Sequence, residues 1–253
     1  RKAQALFARN DAVGMLIAQL VAAPAVAVGA DLHSRRQQQF VFAASVLLTS
    51  TPATRMLRTV PSLFERLWAF VAKPAPLDPV QLQYWCRVTG CLLLLPSGTP
   101  FDGAPAAAPS AALPPRLPQL LRHVYSDSVC LLVKCLLGLP VASALPSDAA
   151  AAAHPPAVPL RVILSGEHSV LPHCVALVLE GGDACANAAE LLCTLCAALP
   201  ERLDALELTA TFAASFAPLL AQLVDAALAC GQGHHATACA LQVASAALRM
   251  EHA

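Results

Sequence analysis

The stretch that decides the fold is SLFERLWAFVAKPAPLDPVQLQYWCRVTGCLLLL, residues 62–95, which has the pattern of two helices joined by a tight turn. In its first half, large apolar side chains recur at intervals of three and four residues, so they lie on one side of a helix. Pro74 and Pro76 end that helix, because proline lacks a backbone donor and disfavours helical geometry in the residue before it. Asp78 and Pro79 then begin a second helix, with the carboxylate as its N-cap.

Each helix of this pair has a stripe of side chains that we expect to be buried. The predicted N-cap of the first helix is Ser62. The stripes consist of Leu63, Phe64, Leu67, Phe70 and Val71 in the first helix and Leu82, Trp85, Cys86, Thr89, Leu92 and Leu93 in the second. A single pair cannot bury both stripes against each other, so the pattern requires further helices stacked on it.

The rest of the chain repeats this pattern. Helices are predicted over residues 2–8, 11–23, 35–50, 117–125, 127–137, 167–179, 183–199 and 234–250, with further apolar residues at helical spacing from Phe216 to Ala227. In the helix that begins at Arg35 we expect Phe40, Ala43, Ala44, Leu47 and Leu48 to be buried. Period-two alternation never persists, so no strand is predicted.

Successive helix pairs follow one another at intervals of roughly 35 to 45 residues, a range typical of armadillo and HEAT repeats. We therefore predict an all-α fold: one irregular α-solenoid domain of armadillo/HEAT-like antiparallel helix pairs, over residues 1–253. Residues 96–115 and 140–159 are rich in alanine and proline and contain few large apolar side chains. They are predicted to be mobile insertions, because they bury too little apolar area to offset the entropy cost of ordering.

Composition excludes several classes of partner. The formal net charge is zero, and without a basic block neither nucleic acid nor an anionic membrane is an expected partner. Residues 12–30 carry no charge but have only one apolar side, interrupted by Pro24 and Gly29, so they are not expected to span a membrane.

The 10 cysteines lie mostly in apolar stripes and are expected to be reduced, which indicates a cytoplasmic or nuclear location.

No group of residues predicts catalysis or a cofactor. His173 and Cys174 are adjacent, but neighbours on a helix point about 100° apart, so a thiolate–imidazole pair is disfavoured. The spacing of Cys193 and Cys196 matches half of a zinc site, yet no second pair follows at a suitable distance. His234 and His235 open the last helix without a carboxylate at the i+4 position. We therefore assign no catalytic, cofactor-binding or metal-binding residue.

The remaining prediction is a protein-binding surface. Four cationic side chains, Arg35, Arg36, Lys73 and Arg87, are candidates for one edge of the stacked helices, where arginine pairs well with partner carboxylates. Chance surface charge is the alternative interpretation. Trp68 and Trp85 are also candidates, since aromatic residues are common at interface hot spots, although core packing explains them equally well.

Several of these segments together resemble the SAPS domain of Sit4-associated proteins, which are regulatory subunits of protein phosphatase 6. The similarity lies in five parts of the chain. They are KAQ (residues 2–4), MLIAQLV (15–21), VLLTS (46–50), LFERLWAF (63–70) followed by PAPLDPVQLQYWCRV (74–88), and LPQLLRHVYSDSVCLLVKCLLGL (117–139). The resemblance implies an all-helical scaffold, not an enzyme, that binds the catalytic subunit of a type 6 (Sit4-like) serine/threonine phosphatase and directs its activity or substrate choice. Further scaffold proteins are additional expected partners.

Two other functions fit the sequence. One is a general armadillo- or HEAT-like adaptor that binds an extended peptide segment, although the expected ladder of regularly spaced Asn or Trp residues is missing. The other is a hydrolase that uses Cys174 or a serine as its nucleophile.

Overall fold

The computed structural model describes residues 10–22, 31–94, 113–139, 169–202, 206–229 and 234–250. Within these ranges it contains eleven α-helices and one 3₁₀ turn, and no strand, which confirms the all-helical prediction. The predicted helix at 2–8, the insertion at 140–159 and most of the insertion at 96–115 lie outside the described residues.

The chain divides into two compact units, Arg1–Pro109 and Ser110–Ala253. The helices of the first unit are α1 (Asn10–Val21), α2 (Asp31–Leu48), α3 (Thr51–Thr59), α4 (Pro61–Trp68) and α5 (Pro79–Leu94). The second unit begins with the 3₁₀ turn Pro114–Arg116 and continues with α6 (Leu117–Leu121), α7 (Asp127–Leu136), α8 (Val170–Glu180), α9 (Cys185–Arg202), α10 (Leu206–Leu228) and α11 (His234–Met250). The single repeat domain and its solenoid arrangement remain predictions.

The first unit is built around two tryptophans. Helix α1 packs against α2, α3, α4 and α5, and α2 also packs against α5. The indoles of Trp68 on α4 and Trp85 on α5 meet edge to face, with ring centroids 5.4 Å apart. Trp85 also donates its Nε1–H to the backbone oxygen of Leu67 over 2.8 Å, so its one polar atom is satisfied in the interior.

The structure confirms the predicted start of α5 and corrects both predicted ends of α4, which ends at Trp68 rather than immediately before Pro74. Asp78 accepts a hydrogen bond from the backbone N–H of Gln81 over 2.8 Å, which confirms the predicted N-cap of α5. The prediction of Ser62 as the N-cap of α4 is wrong, because that helix begins with Pro61 and Val60 occupies the cap position. Proline suits the first position of a helix, where a backbone donor is not needed.

Most of the predicted stripes are buried. All five side chains of the first stripe are buried, and in the second stripe only Leu93 is half-exposed. Three long side chains bind backbone oxygens of neighbouring helices: Arg58 binds Leu92 O, Arg66 binds Gly14 O, and Gln81 binds Ala22 O. These bonds connect α3 with α5 and tie α4 and α5 to α1.

The second unit has α8 at its centre. Helix α8 packs against α6, α9, α10 and α11, while α9 packs against α7 and α11. Side chains at helical spacing are buried in each of three helices: Val129, Leu132, Val133 and Leu136 in α7, Leu171, Cys174, Val175 and Val178 in α8, and Cys185, Ala188, Ala189, Leu192 and Cys196 in α9. Asn187 on α9 donates from Nδ2 to the backbone oxygen of Val124 over 2.8 Å and to Oδ1 of Asp127 over 3.1 Å, so it holds α9 to the α6–α7 connection.

Within the described residues, no single helix is long and apolar enough to cross a membrane. The segments Arg35–Leu48 and Thr51–Thr59 satisfy that test of length and composition together, but they are bent by 77°.

The substitution Trp85→Phe is expected to lower the free energy of unfolding by about 1–3 kcal/mol, because it removes a buried hydrogen-bond donor and part of an indole. Urea unfolding followed by circular dichroism measures the change. The control is Phe40→Leu at an exposed site, expected to stay within about 0.5 kcal/mol of the unsubstituted chain. Equal losses in the two variants would contradict the role assigned to Trp85.

At Asn187, replacement by alanine is expected to cost about 1–3 kcal/mol, since it removes both hydrogen bonds at once. Replacement by aspartate is expected to cost at least as much, because it places a carboxylate against two oxygen acceptors. Thermal melts of the two variants test this order. Gln242→Ala, at an exposed polar residue of α11, serves as the control, and an Asn187→Asp variant as stable as this control would disprove the bonding described above.

Candidate partner-binding surface

The buried side of α2 differs from the predicted one. The structure buries Val41, Ala44, Ser45 and Leu48 and exposes Phe40, Ala43 and Leu47, which were predicted to be buried. Ser45 donates its hydroxyl to the backbone oxygen of Phe42 over 2.7 Å, so a polar residue is satisfied on the inner side. The prediction failed because α2 is apolar on both sides, and only its contacts with α1 and α5 decide which side is covered.

As a consequence, α2 presents large apolar side chains to solvent. Phe40 is 61% exposed, Phe42 48%, and Val46 and Leu47 are each 40% exposed. We call these four side chains, together with Arg35 and Arg36, the α2 surface. Isolated exposed apolar residues are common in proteins, whereas four large ones on the same helix are of the kind that marks interaction sites.

The α2 surface consists of two parallel rows. Arg36, Phe40 and Leu47 follow one another at spacings of four and seven residues, so they lie on one line along the helix. Arg35, Phe42 and Val46 form the second line at spacings of seven and four. Each row therefore begins with an exposed guanidinium and continues with apolar side chains.

The second row continues onto α5. The ring of Phe42 meets that of Tyr84 edge to face, with centroids 5.8 Å apart. Arg87 lies three residues after Tyr84 on α5 and is exposed, and residues at this spacing share one side of a helix. The predicted residues Arg35, Arg36 and Arg87 are thus all exposed, and Arg87 lies on the same side of α5 as Tyr84, the residue that Phe42 contacts.

Lys73, the fourth predicted cation, has a structural contact of its own. Its Nζ donates to the backbone oxygen of Val21 over 3.0 Å and lies 5.2 Å from the centre of the Phe70 ring. Val21 is the last residue of α1, so the ammonium satisfies a carbonyl that the helix itself leaves unpaired. Lys73 therefore stabilises the end of α1, although it is exposed.

The assignment of Trp68 and Trp85 as partner-binding residues needs correction. Their exposed fractions are 1% and 0%, and each ring contacts other aromatic rings of the core. A partner cannot reach either indole while the unit is folded. Burial supports the core interpretation of these two residues. Within the described part of the first unit, Phe40, Phe42 and Tyr84 are the aromatic side chains that are at least partly exposed.

The nine cysteines in the described residues are free thiols. Burial raises the pKa of the Cys174 thiol far above its ordinary value, and it raises the pKa of Cys130 to about 11 and of Cys196 to about 12. The Nδ1 atom of His173 faces the backbone oxygen of Ser169 at 3.1 Å. These observations favour packing over nucleophilic catalysis, since the thiolate is the reactive form of cysteine.

Sequence reasoning missed one cluster of side chains. His235 and Cys239 lie one turn apart on α11, with His235 Nε2 and Cys239 Sγ separated by 4.0 Å, and Cys185 at the start of α9 completes the group. The residue four positions after His235 is Cys239, which offers a thiol in place of the carboxylate of a paired metal-ligand motif. The four-residue spacing of His235 and Cys239 was a usable signal of paired metal ligands. Nothing in the sequence, however, connects this pair to Cys185, fifty positions before His235.

No protein-family model, curated protein or solved structure matches this chain. Membership of the SAPS family therefore rests on the quoted segments and stays a prediction.

We expect brief treatment of the native chain with iodoacetamide to modify the half-buried Cys91, Cys135 and Cys193 first. Cys86 and Cys174 are expected to react only after unfolding, because they are buried and their pKa is raised by burial. Peptide mass spectrometry with and without urea gives the order. Rapid and selective modification of Cys174 in the native chain would contradict this expectation and favour the hydrolase hypothesis.

Proposed function

We propose that this chain is a non-catalytic regulatory subunit that binds the catalytic subunit of a type 6 (Sit4-like) serine/threonine phosphatase. In this proposal it directs the activity or the substrate choice of the enzyme. The observation that carries the proposal is the α2 surface, on which four exposed apolar side chains share one helix with two exposed arginines.

The composition of the α2 surface supports a protein partner. Interface hot spots are enriched in aromatic residues and arginine, and they combine an apolar centre with a polar rim. Here Phe40, Phe42, Val46 and Leu47 supply the apolar centre, and Arg35, Arg36 and Arg87 supply the rim. The guanidinium groups favour a partner that offers carboxylates around an apolar pocket.

The choice of a phosphatase comes from the resemblance to the SAPS domain. The quoted segments VLLTS and PAPLDPVQLQYWCRV include the end of α2 and most of α5, the two helices that present this surface. The same helices thus carry both the family resemblance and the exposed apolar residues. A general peptide-binding adaptor is the alternative, and the binding experiment separates the two.

The full chain is expected to capture the type 6 catalytic subunit in a pull-down, and the double variant Phe40→Ala/Leu47→Ala is expected to weaken binding at least about tenfold. A tenfold change corresponds to 1.4 kcal/mol, less than a single strong hot spot supplies. Because both side chains are exposed, circular dichroism and the melting temperature should change little. The charge-reversal variant Arg35→Glu/Arg36→Glu should weaken binding more at low salt than at high salt.

The matched control is Leu241→Ala/Leu248→Ala, which removes two leucines on α11 with exposed fractions of 52% and 55%. This variant should bind the catalytic subunit as well as the unsubstituted chain does. If the folded chain captures no phosphatase of this type, the proposal is wrong. Equal binding by the control and the α2 variants would instead exclude the α2 surface as the contact.

A further inference from the structure

The cluster of Cys185, His235 and Cys239 brings three metal-ligating side chains together from two helices. The Sγ atoms of the cysteines and a ring nitrogen of the histidine all lie within 4.8 Å of one another. Both cysteines are buried, whereas His235 is exposed. The cluster therefore lies at the edge of the second unit, with its thiols inside and its imidazole toward solvent.

The backbone places these residues accurately. Gly181 and Gly182 have positive φ angles of 74° and 70°, a region that favours glycine, and they turn the chain between α8 and α9. Cys185 follows as the first residue of α9, and its Sγ–H donates to the backbone oxygen of Val178 over 3.6 Å. A Cβ built on Gly181 would lie 3.8 Å from that of Ala236, so this turn runs close beside the start of α11.

We propose that Cys185, His235 and Cys239 form a zinc-binding site. Zn²⁺ prefers a ligand set such as two thiolates and an imidazole. Hard cations such as Mg²⁺ and Ca²⁺ prefer oxygen ligands instead. With Zn–S near 2.3 Å and Zn–N near 2.0 Å, tetrahedral geometry requires ligand atoms about 3.5–3.8 Å apart. The His235–Cys239 distance of 4.0 Å exceeds this range only slightly.

Three protein ligands leave one position of a tetrahedral zinc ion for water, and His235 is the ligand that borders solvent. Each thiol releases its proton to solvent when the metal binds. The bound ion would then connect the start of α9 with the first turns of α11, two helices that already pack together.

This site does not depend on the proposed phosphatase contact, because all of its ligands belong to the second unit and the α2 surface belongs to the first. Its expected role is to stabilise the second unit, since a ligand that binds only the folded state raises the free energy of unfolding.

The test uses the full chain, purified with a reductant, stripped with a chelator and titrated with Zn²⁺ or with Co²⁺ as a spectroscopic substitute. We expect saturation at one metal ion per chain and a higher melting temperature with zinc. With Co²⁺ we expect a thiolate-to-metal charge-transfer band and the strong visible absorption of a tetrahedral site. The variants Cys239→Ser and His235→Ala should weaken binding at least about a hundredfold, beyond the 10- to 100-fold effect typical of outer-shell residues.

Two controls keep the result decisive. Cys91→Ser removes a half-buried cysteine of the first unit and should leave the metal titration unchanged. His235→Ala alters an exposed side chain, so its fold is expected to survive and loss of metal binding can be assigned to the missing ligand. The proposal is overturned if the reduced chain binds no zinc, if zinc does not raise the melting temperature, or if the Cys239→Ser and His235→Ala variants bind it as tightly as the unsubstituted chain.

Discussion

The constraint on which the whole structure depends is that none of its short helices can bury its apolar side alone. Isolated helices below about 12–15 residues are marginally stable in water, and α4 has 8 residues, α7 has 10 and α8 has 11. Contacts between helices therefore hold each unit together. In the first unit the buried indoles of Trp68 and Trp85 meet, and the bond from Trp85 to Leu67 O fixes α5 against α4. In the second unit Asn187 fixes α9 against the α6–α7 connection in a similar way.

A helix that is apolar on two sides has more apolar surface than its neighbours can cover, and α2 is such a helix. Its contacts with α1 and α5 use the side formed by Val41, Ala44, Ser45 and Leu48. Phe40, Phe42, Val46 and Leu47 remain outside, next to arginines that raise solubility and can pair with carboxylates. Packing within the unit does not explain the exposed apolar side chains of the α2 surface. These side chains are therefore the feature that supports a binding function.

The cysteines illustrate how one residue type serves different purposes in one chain. Cys86, Cys174 and Cys196 lie in the middle of buried stripes, where burial raises their pKa and packing accounts for them. Cys185 and Cys239 are equally buried but lie beside an imidazole at the edge of the second unit. The difference between a packing thiol and a candidate ligand is thus a matter of neighbours rather than of burial.

The order of amino acids determined much of the helices themselves: Gly181 marked the end of α8, the spacing of large apolar residues marked most buried sides, and Asp78 capped α5 as predicted, although α4 ends at Trp68, before the predicted stop at Pro74. Local pattern suffices there because helix ends and stripes depend on residues within a few positions of each other. Tertiary structure decided which of two apolar sides of α2 is covered, that both tryptophans are in the core, and that Cys185 meets His235 and Cys239. These outcomes depend on which helices become neighbours, and that choice is made by contacts between residues far apart in the chain.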